Sequence, residues 1–383
     1  MCKYHRRMDE FGEGVLNSEQ LRALRAAEAI RCEHELDKKV CKGSALDLHL
    51  ARTGWALKGG SIKQIGDRQE TVAKVCQKHG ELFELTDEGR VFKKGSVAVI
   101  QLEEELDFSQ YPWLHGEATG KSSIGRLDIL TRLLADGCPE YERVPPRYKG
   151  PLYVEIAPIS FDIRLYPGVS LNQLRVHCGP RSPLASLIGR RLLFKSDDGL
   201  QFSAAAQGDK TLSLDISPRD HSKLTAYRLK DSGVLPLLDF KDKGKVDAKQ
   251  YFERIEGDSD SLTIEVNRFY ILKSVERLRL PDDIAVTGMA YSENLGELRI
   301  HYAGFAHPWF GMDRNDRKTG TPLIFEVRAH SFPVLLRHEE VFATILFYKM
   351  SAKIPLEDKE KEPDDYGNQE LKLSSYFAKD SML

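Results

Sequence analysis

Tyr148-Lys149-Gly150-Pro151-Leu152-Tyr153-Val154-Glu155-Ile156 begins as a turn and runs into an apolar, β-prone stretch carrying one carboxylate. The composition predicts a strand. Strands rarely bury an unpaired glutamate without cause, and a lone carboxylate in such a setting suits proton transfer. The competing reading is a barrel-wall glutamate paired with an arginine. Upstream, Gly120-Lys121-Ser122-Ser123-Ile124-Gly125-Arg126-Leu127 places two hydroxyls, a lysine and an arginine within six residues. Hydroxyls and a guanidinium suit phosphate oxygens. Together the two stretches read as a nucleotide site with its own acid/base residue.

Outward from this pair the chain is mostly short strands. Val97-Ala98-Val99-Ile100 and Leu171 to Val176 are β-like, and Pro146 and Pro167-Gly168 mark turns between them. A helix is expected from Asn17 or Ser18, where Asn17 and Gln20 form a capping box and Leu21, Leu24 and Ala27 share an apolar face. Residues 1–15 read as a loose arm.

The second half repeats the first. Ala45-Leu46-Asp47-Leu48 has a counterpart in Ser213-Leu214-Asp215-Ile216, Ser122 in Ser292, and Glu155 in Glu326 within Pro322-Leu323-Ile324-Phe325-Glu326-Val327. Asp47 to Ser122 spans 75 positions and Asp215 to Ser292 spans 77. Ser122 to Glu155 spans 33 and Ser292 to Glu326 spans 34. Matches in register at near-equal spacing indicate one β-rich unit made twice. The boundary falls near Gly179 to Arg191, where Pro180, Pro183 and Gly189 cluster. This gives residues 1–180 as one barrel, 192–350 as its degenerate repeat, and 351–383 as an acidic linker with a closing tail. A chain of 383 residues is long for one core, which agrees with two domains.

Several function classes fall away. The formal net charge of −2 lacks the basic excess of a general nucleic-acid binder. No apolar run approaches the ~18 residues of a membrane span, and the charged N-terminus is followed by no apolar signal region, so the expected location is cytoplasmic. The six cysteines are scattered without a C-x-x-C, as expected for reduced thiols. Gly116 to Ser122 is one residue short of a phosphate-cradling G-x-x-x-x-G-K-[ST] loop. His79-Gly80-Glu81 and His115-Gly116-Glu117 supply H-x-E without the P-C-x-x-C that zinc deaminases need, so no metal ligands are assigned.

At Ser44 to Leu50, Lys121 to Asp128 with Thr131-Arg132, Tyr148 to Ile156, and Tyr166-Pro167-Gly168 with Gln173-Leu174, the chain resembles the two-domain bacterial dCTP deaminases of the trimeric dUTPase-like superfamily. In the second half the resemblance continues through Phe269 to Leu272, Gly296 to Phe305 and Phe325 to Arg328, and in the tail Gln369-Glu370-Leu371-Lys372-Leu373-Ser374. It implies a mainly β fold: two tandem distorted β-barrel or jelly-roll domains with a few short helices, and active sites between the domains of a trimer.

The implied activity is hydrolysis of dCTP to dUTP and ammonia, which feeds thymidylate synthesis. The resemblance also implies no tightly bound cofactor, with Mg2+ accompanying the triphosphate. Glu155 matches the general base and acid, Arg126 the catalytic arginine, and Ser122 and Ser123 the serines of the site. Lys121 is assigned to the phosphates and Tyr148 to exclusion of a 2′-hydroxyl. Tyr366 and Gln369 match a segment that folds over bound nucleotide. Asp47 recurs as Asp215 and is left out as structural. Glu297 stands in the place of Arg126, so the second barrel is expected to lack a working site of its own. His307 and Trp309 stand where the resemblance leads to Asp and Gly. Three chains carry six barrels, enough for two threefold rings, so a homotrimer is expected.

Two rivals remain. A dUTP diphosphatase, or a bifunctional enzyme, needs an aspartate before Tyr148, where this chain has Val144-Pro145-Pro146-Arg147. A non-catalytic nucleotide sensor would keep the barrel and lose the acid/base residue.

Overall fold

In the computed structural model the described residues are 11–33, 41–62, 70–180, 183–184, 193–194, 211–216, 224–231, 233–257, 260–289, 298–301, 304–312, 320–354, 370–379 and 381. Ser292, Glu297, Tyr366, Gln369, most of the expected boundary and the acidic linker lie outside them.

The fold is mainly β, as expected. The first repeat contains α1 (Ser18–Ala26), β1 (Ala45–Leu57), α2 (Val72–His79), β2 (Ala98–Asp107), β3 (Leu114–Gly120), the single turn α3 (Ser122–Gly125), β4 (Ile129–Ala135), β5 (Lys149–Pro158) and β6 (Ser170–Cys178). The second contains β7 (Thr211–Asp215), β8 (Phe269–Leu278), β9 (Ile284–Met289), β10 (Leu298–His301), β11 (Thr321–Ala329) and β12 (Val341–Lys349). Hydrogen-bonded order in the first sheet is β3-β6-β1-β2-β5-β4; in the second it is β9-β12-β7-β8-β11-β10. Each strand of the second series is the sixth after its counterpart. The duplication read from three short motifs thus extends to the order of these six strands, and Glu155 and Glu326 lie on equivalent strands, β5 and β11.

Local chemistry sets the elements. Asn17 caps α1: its Oδ1 accepts from Gln20 N at 3.0 Å while Gln20 Oε1 accepts from Asn17 N at 2.9 Å. The expected loose arm is shorter than the sequence suggested, because Gly14 and Val15 pair with Cys178 and His177 on β6. A Cβ at Gly54 would come within 2.4 Å of the Phe83 ring, so only glycine lets the strand at Gly80–Glu84 pair closely with β1. Gly168, at φ +74°, makes the turn into β6.

One core fills the first repeat with Leu46, Leu48, Ile100, Leu133, Val154 and Ile156. It continues without a break into Phe252, Phe269 and Ile271 of the second repeat and Leu371, Leu373, Tyr376 and Phe377 of the tail. A second core, with Leu214, Tyr270, Leu272, Val327 and Phe347, lies inside the second repeat. A third, smaller one (Trp55, Val72, Cys76, Val99, Leu134 and Tyr153) sits under α2 on the outer face of the first sheet.

Polar groups also cross between the repeats. Fully buried Arg175 on β6 donates to the carbonyls of Val286 at 2.9 Å and Ala306 at 2.8 Å, and burial lowers its pKa to about 9. Tyr166 donates to Asp239, which also pairs with Arg164 at 3.2 Å. Among the described residues no two cysteines are joined by a disulfide. No helix among the described residues is long and apolar enough to cross a membrane.

Candidate active site

The loop after β3 turns through α3 and enters β4 at Asp128, whose φ is +56°. Lys121, at the loop's start, directs its Nζ to Asp47 Oδ2 and, at 3.4 Å, to Ser170 Oγ. Asp47, set aside in the sequence, is therefore the residue that holds Lys121. Ser122 and Ser123 are half-buried on the first turn.

Arg126 is 7% exposed. Its Nη1 donates to the carbonyl oxygens of Lys372 at 3.2 Å and Leu373 at 3.5 Å, and Ser374 Oγ donates to the Ser123 carbonyl at 2.6 Å. The tail is thereby seated on the loop. It is anchored beyond it by Tyr376 against Phe240 at 4.4 Å and Phe377 against Tyr251 at 5.4 Å. On its other side, Glu370 bridges Lys273 at 3.1 Å and Arg277 at 2.8 Å. Leu371, Leu373, Tyr376 and Phe377 of the tail are buried in this arrangement.

The nearest acid to the Arg126 guanidinium in the described contacts comes from the other repeat. Arg126 Nε lies 3.9 Å from Glu326 Oε1. Burial drives the Glu326 carboxyl up to about 8, against the opposing pull of Arg126. Two residues further along the loop and along β11, Asp128 and Arg328 make a second crossing: Arg328 donates to Asp128 Oδ2 and, at 3.1 Å, to Ser160 Oγ. Asp128 is wholly buried, and desolvation holds it up to about 6 although Arg328 lowers it.

Glu155 sits apart from that seam. Both its oxygens accept from Ser61 Oγ, at 2.7 and 2.9 Å, and Oε2 also accepts from Ile62 N at 3.2 Å. In register it faces Val99 on β2 and Arg132 on β4. Arg132 lies over the Tyr141 ring at 4.7 Å, and Tyr141 in turn donates to the Ile62 carbonyl. Below, Cys76 is pushed up to about 12, first by burial and then by the Glu155 charge. Tyr148 is 5% exposed; its hydroxyl donates to the Pro151 carbonyl and accepts from Asp136 N at 3.3 Å. That ties its hydroxyl to its own hairpin.

Residues 12–180 match the family model described as the 2′-deoxycytidine 5′-triphosphate deaminase N-terminal domain, and residues 187–377 match that family's C-terminal domain. The chain belongs to the dCTP deaminase family. Among solved structures it is similar to a 2′-deoxycytidine 5′-triphosphate deaminase from Agrobacterium tumefaciens. The TM-score is 0.79 at 27% identity, covering 90% of this chain and all of that one. No curated protein sequence matched. The chain is a deaminase acting on dCTP.

Lys121, Ser122, Ser123 and Arg126, within six residues in the sequence, lie on one loop in the structure. The sequence did not place Ser61 and Ile62 on Glu155, since a single serine in a polar stretch carries no signal. Nor did it place Glu326 beside Arg126. The one available hint was the repeat itself, which marked Glu326 as the counterpart of Glu155. Ser44 Oγ lies 3.0 Å from His307 Nδ1, so His307 contributes a contact between the repeats.

Proposed function

We propose that the chain hydrolyses dCTP to dUTP and ammonia at the Lys121–Arg126 loop, using a strand glutamate to move protons, and so supplies dUTP for thymidylate synthesis. The tail seated on Arg126 and Ser123 carries this reading, because it gathers the cationic and hydroxyl groups of the loop under a cover. Lys121, Ser122, Ser123 and Arg126 receive the triphosphate with its Mg2+, and the tail, including Tyr366 and Gln369, excludes bulk water from the base. A guanidinium beside the reacting carbon also stabilises charge as it develops there. Sequence resemblance gives the proton-handling role to Glu155, with Tyr148 beside the sugar. The equivalent acid in the second repeat is Glu326.

Incubation of the purified protein with dCTP and Mg2+ is expected to yield dUTP and ammonia. Formation of dUMP and pyrophosphate would instead favour a diphosphatase, and binding without turnover a sensor.

A homotrimer is part of the same proposal, since three tandem chains complete two threefold rings of barrels. Light scattering on the purified protein should return three times the chain mass. A stable monomer or dimer is incompatible with it.

A further inference from the structure

Strand β8 sends two cations to the tail side of the seam. Lys273 and Arg277 are each 7% exposed. Ile271 is the register partner of Glu326, and Lys273 is the partner of Ile324. Side chains two apart leave a strand on one face. Lys273 therefore emerges on the same face of the second sheet as Glu326, about 7 Å along the strand. That face meets the first repeat: Ile271 belongs to the core continuous across the seam, whereas its neighbour Leu272 points into the second repeat. The two cations thus stand across the seam from the Lys121–Arg126 loop, and the tail runs between them, from Glu370 on Lys273 and Arg277 to Ser374 on Ser123.

Each cation is oriented by its own repeat and then turned to the tail. Arg277 Nε donates to the Gly320 carbonyl at 3.3 Å, and Lys273 Nζ lies 3.4 Å from Asp215 Oδ2. Both then meet one carboxylate: Arg277 Nη1 is 2.8 Å from Glu370 Oε1, and Lys273 Nζ is 3.1 Å from Glu370 Oε2. The partners differ in kind. A buried cation deprived of its counter-ion is costly. The Glu370 side chain is 52% exposed, and a solvated carboxylate gives up such a pair at little cost. Two anionic oxygens, one on a guanidinium and one on an ammonium, also present what a phosphoryl group presents.

We infer that Lys273 and Arg277 are phosphate-binding residues for the nucleotide held on the Lys121–Arg126 loop, and that Glu370 occupies their place until the triphosphate displaces it. This rests on the deaminase reading and deepens it. The loop grips the phosphates from one side and β8 from the other, and the tail carries its own competitor for the β8 cations. The exchange keeps both buried cations neutralised, because Glu370 moves to solvent as phosphate oxygens arrive. Glu370 is tethered to the chain, so its carboxylate competes at a fixed effective concentration. That sets a triphosphate level below which Lys273 and Arg277 stay with the tail.

Calorimetric titration of the full chain with inorganic tripolyphosphate and Mg2+ tests this without turnover. Glu370→Gln removes the competitor at a half-exposed position and should bind tripolyphosphate about 3- to 5-fold more tightly than wild type, the strength of a displaced exposed ion pair. Lys273→Met and Arg277→Met should each bind it at least about 10-fold more weakly. If the Glu370 bridge only fastens the tail over the loop, Glu370→Gln loosens that cover and binding weakens instead. That outcome overturns the inference, as does native affinity in Glu370→Gln or in Arg277→Met, or a wild-type chain that binds no tripolyphosphate. Where a methionine variant does not melt cooperatively, the sign of the Glu370→Gln change decides alone. A wild-type chain that binds tripolyphosphate but leaves dCTP unchanged sinks the deaminase reading, not the assignment of the β8 cations.

Discussion

Arg126→Ala is expected to lower dCTP turnover by about 10²–10³-fold, the range for removing one preorganised charge-stabilising donor. The side chain does three things from one buried position: it holds the carbonyls of Lys372 and Leu373, faces Glu326, and presents a cation beside Ser122 and Ser123. Alanine removes all three. Arg126→Lys keeps the charge but loses the planar fork that serves two carbonyls and a carboxylate together, so it should recover little of the rate. The checks are dUTP formation in single-turnover assays and limited proteolysis of the tail, which should become faster in both variants. A variant with native kcat and a protected tail would remove Arg126 from the site.

Arg328→Met is expected to destabilise the fold by about 3–5 kcal/mol at pH 8, the usual cost of taking one partner from a buried ion pair. Methionine fills space of similar length but leaves Asp128, Ser160 and the Asn267 carbonyl without the guanidinium. The deficit depends on pH, with a defined sign. In the wild type Asp128 is held up to about 6, above the unfolded value of about 3.9. Stability therefore falls as pH rises between those values and levels off above about 6. Without Arg328 the folded pKa rises further, and stability keeps falling past pH 6 by about 1.4 kcal/mol per unit. The gap between variant and wild type is then nearly constant from pH 5 to 6 and widens from pH 6 to 8. Urea denaturation across this range measures it; a gap that stays constant to pH 8 contradicts the burial argument for Asp128.

Much of the fold was legible because it is written locally. The capping box at Asn17 and Gln20, the apolar runs that became β2, β5 and β6, and the paired motifs around Asp47 and Asp215 each need only a few adjacent residues to be recognised. The repeat spacing then carried the topology, since equal separations between matched motifs require equivalent strands. The site was legible only as far as it is contiguous. Lys121 to Arg126 form one loop in sequence and in space. The Arg126–Glu326 and Asp128–Arg328 contacts join residues 200 positions apart, and nothing in either local sequence encodes how the repeats meet. Tyr148 shows the same limit: nothing in the hairpin sequence says that its hydroxyl donates to the Pro151 carbonyl and accepts from Asp136 N.

The matching strand orders of the two sheets have a consequence for how the seam between the repeats can be altered. In a ring of identical barrels, every substitution appears on both sides of every seam, so improving one side disturbs the other. Here the guanidinium side and the carboxylate side are encoded at separate places in one gene. Each can change alone, and the Ser61–Ile62 cover over one glutamate, with the other left facing Arg126, is the asymmetry that tandem fusion permits.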